Sequence, residues 1–219
     1  MKKIKAVIFD LDGVISDTQN LHFEIEVKLF REMGYNVDLE KMKKFSGVAE
    51  RESYSKILGK EISKNEIEKI VKKKVEILMK SNKIKPIPDV VNLIKRLKKE
   101  GFKLGVASSS KRKFVEFVLK KFKIKNLFDA ILTQEDVKFT KPNPEIYLKT
   151  EKALKVAPQN WLVFEDAPAG ILAAKSAKMK CIGITTNFKK EDLKNADEVI
   201  FNFGEILSKK DLKKFFEKI

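Results

Sequence analysis

The sequence predicts an α/β protein: a doubly wound, mostly parallel sheet with an α-helical domain inserted after its first strand. Three observations carry that expectation. From Pro86 onward, short apolar runs alternate regularly with helical patterns, which calls for parallel strands covered on both faces. Before Pro86 a single apolar strand stands apart, followed by a long stretch with helical spacing and no convincing strand. Four of the strands also run into polar loops, and ligands in an open parallel sheet sit beyond the carboxyl ends of its strands.

The first strand, residues 5–9, carries the apolar run Ala6–Phe9 and ends in Asp10-Leu11-Asp12-Gly13-Val14. Residues 20–33 then alternate apolar and charged side chains at helical spacing, and the pattern resumes over 39–45, 51–58 and 64–81. The remainder reads as helix 90–100 with Gly101 as its stop, strand 103–107, helix 111–122, strand 130–132, helix 145–154 and strand 161–164. It closes with helix 169–177, strand 180–184 and a short strand 198–201. Residues 1–15 and 84–219 therefore form the core, with Trp161 and Phe164 in its interior, and residues 16–83 form a cap. The two connections, near 15–17 and 82–84, are close enough to act as a hinge. A helical insert over a charged site suits a reaction that must control water.

At 219 residues the chain can hold one well-filled core plus a smaller domain. No apolar stretch reaches the length of a membrane span. Met1-Lys2-Lys3 leads straight into the first strand without a signal-peptide core, so a cytoplasmic protein with no membrane partner is expected. The single cysteine, Cys181, lies in an apolar run; this excludes an intrachain disulfide framework and reads as a buried thiol. The net charge of +16 would suit an anionic partner. The lysines, however, are spread over solvated helix faces with few interleaved aromatics, so no specific nucleic-acid partner is expected. A monomer is expected.

The chemistry-bearing residues stand at strand ends. Asp10 and Asp12 leave the first strand one residue apart, and two carboxylates so close to a buried strand need a cation or separate protonation states to coexist. Strand 103–107 leads into Ser108-Ser109-Ser110, strand 130–132 precedes a loop with Thr140-Lys141-Pro142, and strand 161–164 ends at Glu165-Asp166. Each feature has an ordinary reading: a surface turn at Asp10–Gly13, Ser108 as a helix N-cap, Lys141 as a surface lysine, Glu165-Asp166 as acids at a helix start. Their joint occurrence in order argues for one site.

That ordered set resembles the four motifs of the haloacid dehalogenase superfamily of aspartyl-phosphate-forming phosphotransferases, over essentially the whole chain. The strings Phe9–Thr18, Lys141–Tyr147 and Phe164–Ile171 resemble the branch that contains β-phosphoglucomutase and small sugar-phosphate phosphatases. The resemblance implies a Rossmann-like core under an α-helical cap. It implies Asp10 as nucleophile and Asp12 as the acid that protonates the leaving alkoxide and then the base that activates water. It further implies Mg2+ held by the Asp10 side chain, the Asp12 backbone carbonyl and Asp166, with Glu165 in support, and phosphate gripped by Lys141, Ser108 and Ser109.

In the cap, Asp17-Thr18 reads either as the N-cap of the helix bearing His22 or as part of the site. The related mutases use a histidine at this place and a late-cap lysine to control the proton on the acid/base aspartate, and His22 and Lys74 match them. The loop 46–53, with Gly47, Val48 and Arg51, resembles the family's substrate-specificity loop. A mutase-like pattern has lysine where Ser46 stands and arginine where Glu50 stands, to grip the second phosphate of a bisphosphate. Here Arg51 is displaced by one position and compensates only if the loop is shifted. The expected function is a Mg2+-dependent phosphatase for a small phosphorylated metabolite, a sugar phosphate or a phosphoglycolate-like acid. The alternatives are a β-phosphoglucomutase-type isomerase and a non-catalytic basic nucleic-acid-binding protein.

Overall fold

The computed structural model describes residues 3–219, so the Met1-Lys2 start of the expected direct entry into the first strand lies outside the described residues. Six strands, β1 (Ala6–Phe9), β2 (Lys103–Ala107), β3 (Ala130–Leu132), β4 (Trp161–Glu165), β5 (Lys180–Ile184) and β6 (Glu198–Ile200), form one sheet. Its order is β3-β2-β1-β4-β5-β6, with every neighbouring pair parallel. β1 lies in the middle, and its last residue, Phe9, pairs with Val106 on one side and Phe164 on the other. The winding direction reverses between β1 and β4, and a crevice opens at their carboxyl ends.

Four helices follow β1: α1 (Gln19–Glu32), α2 (Leu39–Lys43), α3 (Glu50–Leu58) and α4 (Lys64–Lys80). α4 buries Ile67, Ile70, Val71, Val75 and Leu78, one stripe at three- and four-residue spacing, and leaves most of its lysines in solvent. Its start is fixed by reciprocal bonds: Glu66 N–H to Ser63 Oγ at 3.3 Å, and Ser63 N–H to Glu66 Oε2 at 3.1 Å. α3 stops at Gly59, whose φ of 69° a side chain would resist. The chain leaves and re-enters the sheet through paired segments. Asp17 N–H donates to Lys85 O at 2.9 Å and Ile87 N–H to Ile15 O at 3.1 Å, further along the return segment than 82–84.

β1 is buried on both faces, and its alternation divides the interior. Val7 and Phe9 belong to one apolar cluster, with α5 (Val90–Lys99), α6 (Arg112–Lys121) and the cap; Ala6 and Ile8 belong to the other, with α7 (Glu145–Leu154) and α8 (Pro168–Ser176). Trp161 and Phe164 are fully buried, as is Cys181, whose thiol burial pushes up in pKa. Two short helices, α9 (Gly204–Leu207) and α10 (Leu212–Phe216), were not expected; they are too short to leave a periodic pattern. They seat Ile206, Leu212 and Phe216 in the first cluster, and Arg96 ties them to α5 by donating to Leu207 O at 2.9 Å and Lys210 O at 3.0 Å. Among the described residues no helix is long and apolar enough to cross a membrane.

Candidate active site

At the β1/β4 crevice, Asp10, Glu165 and Asp166 each offer a carboxylate oxygen within 4.8 Å of the others. Lys141, only 1% exposed, reaches them from the loop before α7, donating to Asp10 Oδ1 and Glu165 Oε1, both at 2.6 Å, and to Ala107 O at 2.9 Å. The Tyr147 hydroxyl also donates to Glu165 Oε1, and Asn187 Nδ2 donates to Asp166 Oδ2 at 2.8 Å. Gly13 is required here on two counts: its φ is 89°, and a Cβ would overlap Asp166 and Asn187. A Cβ at Gly170 would overlap the Glu165 carboxyl, so α8 approaches the end of β4 only because that position is bare.

Three buried carboxylates face one ammonium, and the imbalance is felt as shifted proton affinity. Burial pushes Asp10 well above the usual carboxylate range; Lys141 opposes the shift, and Glu165, Asp166 and Asp12 add to it. Burial and the Glu165 charge push Asp166 up to about 8. Burial works against the Lys141 charge, but Asp10 and Glu165 outweigh it and hold the ammonium protonated beyond its ordinary range. A buried, all-oxygen donor set short of positive charge fits a hard divalent cation.

Asp12 is treated differently. Ser110 Oγ donates to its Oδ2 at 2.6 Å and Thr18 Oγ1 to its Oδ1 at 2.5 Å. His22 Nε2 lies 3.1 Å from Oδ1. Burial raises the Asp12 pKa, yet His22 and the two hydroxyls outweigh it and hold the carboxyl at about 2. Thr18 stands at the N-cap position of α1 without capping it, because its hydroxyl is used on Asp12. The other ordinary readings fail likewise. Ser108 is not the cap of α6, which follows Lys111, and α8 starts at Pro168, beyond the acid pair.

A cavity of about 50 Å³ lies between cap and core, lined by Asp10, Asp12, His22, Gly47, Val48 and Ser109 among others. It has room for only a few waters. Ser108 and Arg51 are not on its wall. Ser108 Oγ accepts from Ser110 N–H at 3.0 Å, and Ser109 Oγ donates to Gly47 O at 2.6 Å, so this hydroxyl holds the cap loop rather than reaching toward Asp10. Arg51 does not compensate for the missing basic grip. Its guanidinium donates to Gln134 O at 3.1 Å, Val137 O at 2.9 Å and Lys138 O at 3.0 Å. Thr140 donates from N–H and Oγ1 to Glu52 Oε1, both at 2.8 Å, so the cap loop is fastened to the segment that presents Lys141. Lys74 lines the cavity, but it donates to Glu26 Oε1 at 2.7 Å and to Glu50 Oε1 rather than to Asp12.

Sequence reasoning missed Ser110, Tyr147, Asn187, Gln134 and Thr140 as site residues. Asn187 had a legible signal, a polar side chain just beyond the carboxyl end of β5; Ser110 stood within a noted serine run. Tyr147 closed a noted string, but nothing there marked its hydroxyl as a partner of Glu165.

Residues 7–184 match the family model of the haloacid dehalogenase-like hydrolases. A phosphorylated carbohydrates phosphatase of Thermotoga maritima is 33% identical over 82% of this chain and 84% of its own length. The β-phosphoglucomutase of Bacillus subtilis is 34% identical over 83% of each chain. The crystal structure of a β-phosphoglucomutase from Clostridium difficile superposes with a TM-score of 0.84 at 33% identity, covering 98% of this chain and 96% of that one. With its motifs at the switch point of the sheet and under a helical cap, the chain belongs to the haloacid dehalogenase-like hydrolases, as an enzyme of their phosphatase branch.

Proposed function

We propose that the protein is a Mg2+-dependent phosphatase that hydrolyses a small phosphate monoester, a sugar phosphate foremost, through an aspartyl-phosphate. Residues 16–83 are its cap, hinged at the paired segments 15–17 and 85–87. The observation that carries the phosphatase reading over a mutase is the fate of the cap's cations: Lys74 is neutralised between Glu26 and Glu50, and Arg51 is committed to backbone carbonyls. Neither is free for the second phosphate that a mutase must hold.

Asp10 Oδ attacks phosphorus, forming a new P–O bond as the ester P–O bond breaks. Lys141 neutralises the phosphoryl oxygens and keeps Asp10 in line, with the Ser109 backbone N–H as a hydrogen-bond donor. Asp12, held at about 2, is ionised before substrate arrives. The phosphate dianion repels that charge, so Asp12 takes up a proton from solvent and delivers it to the leaving alkoxide; the proton it later takes from water returns to solvent once phosphate has left. Asp12 next accepts a proton from the water that attacks the aspartyl-phosphate, which releases phosphate and restores Asp10. Asp10, Asp166, the Asp12 carbonyl and, in support, Glu165 would hold Mg2+. When bound, the ion supplies charge neutralisation for the transferring phosphoryl group.

The test is phosphate release from a panel of monoesters that includes β-glucose 1-phosphate, with sugar isomerisation scored in parallel. Release should need Mg2+ and fall by at least ~10³-fold in Asp10→Asn. Isomer accumulating with little phosphate lost would replace the phosphatase with a mutase.

A further inference from the structure

Beyond Asp12, the cavity ends in a buried charge cluster that no catalytic step above uses. Glu26 (5% exposed) and Glu50 (6%) flank Lys74 (2%), all three on the cavity wall. Burial opposes ionisation of Glu50, but Lys74 and the Gln134 amide, which donates to Oε2 at 2.8 Å, outweigh it and keep the carboxylate charged. Glu26 receives Lys74 at 2.7 Å and the Tyr54 hydroxyl at 2.8 Å on one oxygen, Oε1. Among the described residues nothing donates to its other oxygen, Oε2. Glu26 lines the cavity, so this oxygen is an acceptor left without a donor from the chain. Two carboxylates against one ammonium also leave the far end of the cavity net negative.

We infer that this cluster is a distal subsite that selects phosphate monoesters ending in an uncharged hydroxyl and rejects those ending in an anion. Glu26 Oε2 accepts a hydrogen bond from the substrate's far hydroxyl. Glu50 and Lys74 fix Glu26 in place, and the surplus negative charge repels a carboxylate or second phosphate brought to the same spot in low dielectric. The inference rests on the phosphatase reading and narrows it: a polyol or sugar phosphate is a substrate, and a phosphoglycolate-like acid is not.

The experiment compares hydroxyl-ended with carboxylate-ended esters of matched length, glycerol 3-phosphate against 3-phosphoglycerate and sorbitol 6-phosphate against 6-phosphogluconate, with p-nitrophenyl phosphate as a generic ester. In the wild type the hydroxyl-ended member of each pair should have the higher kcat/KM, by at least ~30-fold in the better pair. Glu26→Gln, which removes the charge but keeps an acceptor, should narrow that ratio by ~10-fold. Glu50→Gln should narrow it in the same direction, a shift in preference that general loosening of the cap would not produce. A wild-type ratio near one, a preference for the acids, or turnover of p-nitrophenyl phosphate with neither member of any pair accepted overturns the subsite and leaves the phosphatase standing. Absence of any Asp10-dependent release overturns both. The wild-type ratio decides the matter even if a variant does not fold.

Discussion

At the scale of single residues, Asp166 carries the sharpest consequence. Among the described residues its one side-chain hydrogen-bond donor is Asn187, and burial beside Glu165 lifts its pKa to about 8, so in the metal-free protein it holds a proton through the neutral range. A divalent cation needs the ionised form. Mg2+ binding should therefore release a proton below pH ~8, and its apparent affinity should rise by up to ~10-fold per pH unit until it flattens near that value. Calorimetry in buffers of different ionisation enthalpy measures this directly; an affinity independent of pH would contradict it. Because the folded chain holds this proton more tightly than the unfolded one, the metal-free melting temperature should fall from pH ~4 to ~8. Mg2+ should restore most at the upper end. At this scale the sequence was legible where chemistry constrains residue type at a strand end: Asp10, Asp12, Lys141 and Asp166 lie together at the β1/β4 crevice. It was not legible for Tyr147, whose partner Glu165 is reached only by the fold. Nor was it for Lys74, whose acidic neighbours come from two other helices.

At the scale of elements, the loop before α3 and its first turn are fastened to the core through the segment 134–140. Arg51 spreads one guanidinium over three carbonyls, a fork that lysine cannot reproduce. Arg51→Ala should lower kcat/KM by ~3- to 10-fold and speed proteolysis of the cap, and Arg51→Lys should match it within about twofold. If lysine restores the wild-type values, charge alone holds the cap and the fork is irrelevant. Elements with strong periodicity, such as α4 and α5, were legible to within a few residues. The latch was not, because a guanidinium that binds backbone carbonyls leaves no pattern in the partner's sequence. The pairing of the two connections was not legible either, since it runs through backbone groups of Asp17, Lys85 and Ile87 rather than through side-chain type.

At the scale of the whole molecule, the +16 charge invites polyanions, yet the exposed ion pairs are dispersed: Lys43 with Glu40, Lys73 with Glu32, Lys98 with Asp129, Lys175 with Asp197. Binding to mixed-sequence DNA followed by fluorescence anisotropy should be weak and vanish between ~50 and ~200 mM salt. Retention above that range would require a basic groove. The doubly wound class was legible because β/α alternation is a property of the entire chain. The two terminal helices escaped because each contributes less than two turns.

The central position of β1 has a consequence for how the chain is made. Its hydrogen-bonding partners, β2 and β4, lie about a hundred or more residues later, with the whole cap between. During synthesis the first strand must therefore wait, unpaired, while the helices that follow it emerge and begin to pack. The sheet nucleates around it only when residues 103–107 and 161–165 arrive. The crevice holding Asp10 beside Asp166 is thus among the last parts of the molecule to exist, and a ribosome-bound chain stalled before β4 would carry a folded cap with no active site beneath it.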